Sequence, residues 1–262
     1  MPREHRSYRV LAIVLKHYDY GEADRILTIY TRERGKLKVM AKGVRKVRSR
    51  KGGHLEPFMV VSLQLAKGRS WDIVSQAEAQ QAYSKLRENL EMIGYASYAV
   101  ELVDKFVYDE EENTPVFTLL NQTLTRLNRG DDPLLVMRYF EIRLMDVLGF
   151  RPELKQCVVT GVPIQPEDQY FSASQGGVVS PEAGKGLVGA VPVSVAALKY
   201  LRHFQRSNYQ DAARAVISPE IHRELEILMQ HYITYMLERG LNTPSFLRRV
   251  RRDAGNDPTP NE

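Results

Sequence analysis

The sequence predicts an α+β chain of more than one domain, a five-stranded β-barrel followed by a helical domain. Three observations carry that prediction. Up to about residue 82 the apolar side chains alternate with a period of two and are rich in β-branched types. From Ser84 onward their spacing changes to three and four. Between residues 157 and 193 a stretch rich in glycine, proline and serine interrupts the helical part, and it is too long for a plain connection. A chain of 262 residues can fill about two cores, and 43% hydrophobic with 26% charged residues excludes disorder throughout.

Tyr8–Tyr18 and Arg25–Thr31 read as strands, with Asp19, Gly21, Glu22 and Asp24 supplying the turn between them. Gly35 opens a third strand, in which Leu37, Val39 and Ala41 point inward while Lys36, Lys38, Met40 and Lys42 point out. Pro57–Lys67 and Trp71–Ala77 follow, joined by a hairpin turn at Lys67-Gly68-Arg69-Ser70. Five short strands in so few residues predict a small barrel. Three helical stripes come next: Leu86, Leu90, Ile93 and Ser97; Leu119, Leu120, Leu124 and Leu127; and Met137, Phe140, Leu144 and Val147, stopped by Gly149 and Pro152. The 157–193 stretch holds β-like pieces at Tyr170-Phe171 and Val178-Val179. Ser194–Phe204 is again helical, and Ser218 with Pro219 starts a helix carrying Ile221, Leu225, Leu228 and Tyr232 and ending at Gly240.

Charge is the strongest functional signal. The whole chain is +5, yet residues 32–51 alone hold ten basic side chains and one acid, Glu33, so the rest is net negative. Positive charge gathered on a small barrel is suited to a phosphate backbone, with aromatic rings nearby to stack bases. Lys36, Lys38 and Lys42 on the strand, with Arg45, Lys46, Arg48, Arg50 and Lys51 in the following loop, are the candidate contacts. Tyr18, Tyr20, Tyr30, Phe58 and Trp71 are the candidate stacking rings, set against the ordinary fate of barrel aromatics as core. No helical amphipathic pattern favours a lipid surface there, and no apolar run reaches the length of a membrane span. Arg239, Arg248, Arg249, Arg251 and Arg252 form a second basic cluster, which can equally complement a helix dipole. Asp109–Glu112 reads as a solvated acidic loop.

Enzymatic motifs are weak. Gly184-Lys185-Gly186-Leu187-Val188-Gly189 has the dinucleotide spacing, but no parallel βαβ unit surrounds it, so it reads as a loop. The six histidines are scattered, and the single cysteine, Cys157, excludes an internal disulfide and an all-cysteine metal site. No signal-like segment opens the chain, and the expected location is a reducing cytoplasm.

Several segments in order resemble one family. They are Tyr20-Gly21-Glu22-Ala23-Asp24-Arg25, Thr31–Gly35, Val39-Met40-Ala41-Lys42-Gly43, the basic loop, and Leu55-Glu56-Pro57-Phe58. Arg138-Tyr139-Phe140-Glu141 running into Leu148-Gly149-Phe150, and the Tyr232–Leu247 stretch, complete the set. From Tyr8 to about Val250 the chain resembles the RecO family of bacterial recombination mediators in the RecF pathway. The resemblance implies an OB-fold barrel at 1–82, a helical domain at 83–156 and 194–252, and an inserted zinc-finger-like element at 157–193. The polar tail at 253–262 is expected to be disordered.

The same resemblance implies a non-enzymatic protein of the cytoplasm and nucleoid. It would bind single- and double-stranded DNA, anneal complementary strands, bind RecR, and help load RecA onto strands coated with single-strand-binding protein. Recognition of that protein's acidic C-terminal tail calls for an apolar pocket rimmed by arginines, for which Arg126, Arg129, Arg138, Arg143 and Arg151 are candidates. An OB-fold RNA-binding or translation-associated protein is the alternative. The family's zinc-binding members carry two Cys-x-x-Cys pairs in the insertion. Here those positions hold Cys157, Thr160, Ser180 and Ala183, a set that cannot hold tetrahedral zinc. A metal-free relic, kept in shape by glycines and local hydrogen bonds, is expected.

Overall fold

The computed structural model of the chain describes residues 7–237 and 243–253. Strands β1 (Ser7–Tyr20), β2 (Asp24–Thr31), β3 (Gly35–Ala41), β4 (Val60–Ala66) and β5 (Asp72–Gln81) close into a barrel in the order β1-β2-β3-β5-β4. Neighbours are antiparallel except β3 and β5, which meet in parallel over Val39↔Asp72 and Met40↔Ile73. This is an OB-like barrel. Its interior is filled by the residues the alternation puts inward, among them Val10, Ala12, Leu27, Ile29, Val39 and Leu63. A register shift between Val14 and Lys16 bends the long first strand so that it can pair with β2 at one end and β4 at the other.

Three helices follow: α1 (Ser84–Arg87), α2 (Leu90–Phe106) and α3 (Thr114–Arg129). The first expected stripe does not survive as one helix. The chain breaks at Asn89, whose side chain accepts the N–H groups of Glu91 and Met92 and so starts α2 afresh. Leu86 is buried in the short α1, whereas Leu90 is left exposed and the buried face of α2 is Tyr95, Tyr98, Ala99, Leu102 and Val103. The stripe on α3 is buried as read.

Next come α4 (Pro133–Val147), β6 (Gln169–Ser172), β7 (Gly177–Val179), α5 (Pro181–Gly184), β8 (Ala190–Val193), α6 (Val195–Arg206), α7 (Tyr209–Ala212) and α8 (Pro219–Leu237). The glycine-rich stretch is an antiparallel three-stranded sheet, β7-β6-β8, and its β-like pieces lie where the sequence put them. The dinucleotide-like glycines span the end of α5 and the turn into β8, with no parallel unit around them. Ser218 caps α8 through its Oγ, which accepts the N–H of Ile221 at 3.4 Å.

The last helix, α9 (Thr243–Asp253), packs on α2. The chain thus divides into two compact units: one runs through Asp131 and resumes at Thr243, and the other is Asp132–Asn242. Helices α1–α3 and α9 belong with the barrel, and α4–α8 with the small sheet, a different grouping from a single helical domain at 83–156 and 194–252. Within the second basic cluster, Arg251 is buried, and Arg249 and Arg252 are exposed. Arg239, Gly240, the side chain of Arg248 and residues 254–262 lie outside the described residues. No helix among the described residues is long and apolar enough to cross a membrane.

Candidate nucleic-acid interface

The basic segment occupies β3 and the turn-rich loop that leaves it. Lys38, Lys42, Lys46, Arg48 and Arg50 are exposed, and among the described residues none of the five has an acidic partner. Their charge is open to a polyanion. Arg45 is different. Its Nε lies 3.3 Å from Asp19 Oδ2 and its Nη1 donates to the carbonyl of Gly21 at 3.4 Å, so it ties the loop to the β1–β2 hairpin. The backbone repeats the tie: Arg45 N–H donates to Ala23 O at 3.0 Å, and Gly43 N–H to Asp24 Oδ1 at 2.7 Å.

Two of the eight expected phosphate contacts are engaged elsewhere. Lys36 shares the outward side of β3 with Lys38, but its ammonium turns onto the end of α2. There it donates to the carbonyls of Asp104 and Val107, each at 2.8 Å, and pairs with Asp109 at 3.3 Å. It caps the helix C-terminus, where unsatisfied carbonyls and the dipole favour a cation. Lys51 donates to Val74 O at 2.9 Å, and burial holds its amine below the usual lysine range. Alternation in a strand predicts which side a lysine leaves from, but not where a four-carbon stem ends. Part of the acidic run therefore has a partner: Asp109 meets Lys36 instead of standing wholly in solvent.

The aromatics divide in the same way. Tyr30 and Phe58 are buried and belong to the packing, against the expectation that they stack bases. Tyr18 and Tyr20 are each 49% exposed, and Trp71 is half-buried on the β4–β5 turn. Tyr20 and Trp71 meet edge to face at 6.1 Å. Barrel closure also gathers residues that no local pattern marks. Arg34 lies 4.4 Å and Lys67 5.3 Å from the centre of the Tyr8 ring, and the Tyr8 hydroxyl bonds Asp72. Burial together with that carboxylate pushes the Tyr8 phenol up to about 12.

The five tail-binding candidates are split between the two units. Arg126 and Arg129 lie on α3; Arg126 donates to Gln122, and Arg129 forms a paired contact with Asp131 at 2.8 and 2.6 Å. In the second unit Arg143 and Arg151 share Asp146, each at 3.4 Å, and Arg143 also donates to Gln205 O at 2.9 Å. Arg138 is buried against Glu141 at 3.0 Å, so it belongs to the interior of α4 and is no rim residue.

The insertion is the small three-stranded sheet with a hydrogen-bonded turn at Cys157 beside it. Cys157 is buried; its N–H donates to Val162 O at 2.8 Å and its carbonyl accepts the N–H of Gly161 at 2.7 Å. Ser180 N–H reaches across to Cys157 Sγ at 3.3 Å, so the first and third degenerate positions do come together. Burial raises the thiol, but the donors from Ser180, Thr160 and Val159 outweigh it and bring it down to about 6. Ala183 follows on α5 and has no donor atom. One thiol, two hydroxyls and a methyl do not fit a zinc ion. Among the described residues no group of three metal-ligating side chains occurs.

The chain is of the class of OB-like barrel proteins with an open basic surface. Comparison with known proteins narrows it. Residues 6–83 match the model for the N-terminal domain of recombination protein O, and residues 87–244 match the model for its C-terminal domain. The chain is 40% identical over 247 residues to the DNA repair protein RecO of Roseiflexus sp. (strain RS-1), covering 94% of this chain and 87% of that one. It is 37% identical to the RecO of Pelotomaculum thermopropionicum, covering 93% and 94%. Against the RecO of Dehalococcoides mccartyi (strain CBDB1) it is 35% identical, covering 89% and 92%. The chain belongs to the RecO family.

Proposed function

We propose that this protein is a DNA-binding recombination mediator in DNA repair, acting in the cytoplasm on chromosomal DNA and catalysing no bond change. The observation that carries the reading is the set of five exposed, unpaired cations, Lys38, Lys42, Lys46, Arg48 and Arg50, on an OB-like barrel. They bind phosphates of single strands and duplexes alike, largely without regard to sequence. Neutralising two strands at once lowers their repulsion, so complementary sequences can meet and anneal with no nucleotide hydrolysed. With RecR, and by docking the acidic tail of single-strand-binding protein, the same chain helps load RecA onto coated strands. Arg126, Arg129, Arg143 and Arg151 remain the candidates for that tail. The names of its relatives favour DNA over RNA. The insertion serves as structure and takes no zinc; metal analysis of the purified protein finding about one zinc per chain would overturn that.

The test is strand annealing on DNA coated with single-strand-binding protein, comparing wild type with the Lys46→Glu, Arg48→Glu, Arg50→Glu variant. Arg45 is spared because it holds the hairpin. Annealing by the wild type and its loss in the variant, with unchanged thermal unfolding, supports the reading. Equal annealing by both overturns the assignment of the loop.

A further inference from the structure

We propose that Tyr20 and Trp71 form a base-stacking platform that gives the barrel a preference for single strands over duplexes. This rests on the DNA-binding reading above and deepens it. Cations alone cannot make that distinction in favour of the single strand, since a duplex offers the denser row of phosphates. Unpaired bases offer what a duplex hides, their π-faces.

Three features of the geometry support the platform. First, the two rings come from two different loops. Tyr20 ends β1 at the first hairpin, Trp71 sits immediately before β5, and they meet at 6.1 Å with planes 84° apart. An edge-to-face pair leaves ring faces uncovered, and Tyr20 is half in solvent. In OB barrels the loops between strands one and two and between strands four and five frame the strand-binding side.

Second, both loops are clamped before any strand arrives. Asp72 holds the second turn: it accepts the N–H of Gly68 at 3.2 Å, bonds the Tyr8 hydroxyl, and pairs with Lys67 at 3.6 Å. Gly68 itself approaches so closely that a Cβ there would lie 1.9 Å from the Trp71 carbonyl, so the turn is built around the tryptophan backbone. The first hairpin is held by Arg25, which donates to Asp19 at 3.0 Å and Glu56 at 2.9 Å, and by Arg45 on Gly21. Rings held in place lose little freedom when a base stacks on them.

Third, cations flank the rings. Arg45 brings the start of the basic loop against the hairpin that carries Tyr20, and exposed Arg69 lies on the turn that carries Trp71. A strand crossing the pair has its phosphates beside positive charge and its bases over aromatic faces.

Trp71 is the chain's single tryptophan, which makes the test direct. Binding is followed by anisotropy of labelled oligothymidylate, of an abasic deoxyribose-phosphate strand of equal length, and of a duplex, while Trp71 emission is read in the same titrations. Quenching by oligothymidylate, and little change with the abasic strand or the duplex, is the expected result. Tyr20→Ala is expected to weaken oligothymidylate binding about tenfold, with duplex and abasic binding and the salt dependence unchanged, and Tyr20→Phe to restore it. Binding by anisotropy with unchanged emission, or equal weakening of all three ligands by Tyr20→Ala, overturns the platform and leaves the DNA-binding reading standing. Failure of the wild type to bind any of the three overturns both.

Discussion

The basic loop and the turn around Cys157 are held in opposite ways. The loop carries its charge on little framework: Lys46, Arg48 and Arg50 stand in solvent on turns, and a charge that meets a polyanion needs no fixed geometry. The turn around Cys157 has framework with little exposed chemistry. Ser180 N–H meets Cys157 Sγ, and the turn at 157–162 is closed by two backbone hydrogen bonds. A metal site organises a chain by joining distant segments. Here β6, β7 and β8 pair with one another, and the segment at Glu153 pairs with Gly177, which does the same joining. Charge tolerates a loose scaffold, whereas this small sheet is held by backbone pairing between its own strands.

The widest break in that comparison comes from Gly177→Ala. A Cβ there would lie 2.3 Å from Glu153 O and 2.9 Å from a methyl of Val158. Chemical unfolding is expected to show a loss of about 2–4 kcal/mol, while strand affinity of the folded protein stays at the wild-type level. Lys36→Met separates structural from functional cations within one strand. It is expected to lower stability by about 2 kcal/mol, since α2 loses its charged cap, and to change strand affinity less than threefold. Lys38→Met should do the reverse.

Cys157→Ala is the gentlest at neutral pH, at about 1 kcal/mol, because Ser180 N–H loses its acceptor. Its effect depends on pH with a defined sign. The folded thiol titrates near 6, below its ordinary value. The thiolate's contribution is therefore full above the ordinary thiol range and fades as pH falls to about 6. The gap in Tm between wild type and variant is expected to be widest near pH 9 and to close toward pH 6. A gap that widens on acidification would contradict the hydrogen-bonded thiolate.

Much of this was readable in advance, for reasons that particular residues make plain. The barrel strands announced themselves because Val39, Ala41, Leu63 and Leu65 alternate strictly, and α3 because its leucines are all on one face. What escaped depends on distant partners. Lys36 looks open in the sequence because its capping role depends on the end of a helix some seventy positions later. Tyr30 and Phe58 could not be told from Tyr20 by composition, since only barrel closure decides which rings face in. Leu90 fitted a helical stripe that Asn89 interrupts by capping. The Tyr8, Arg34, Lys67 and Asp72 group exists only because β1 pairs with β4 in the register Ser7↔Ala66. That Arg138 is buried against Glu141 likewise depends on how α4 packs.

The central claim, that open cations on the barrel engage DNA phosphates, is tested most directly by the salt dependence of single-strand binding. Five such contacts give a slope of log affinity against log salt of about −3.5, and removing three of them with Lys46→Glu, Arg48→Glu and Arg50→Glu flattens it by about 2. A wild-type slope near zero, or the same slope and affinity in the variant, would contradict it.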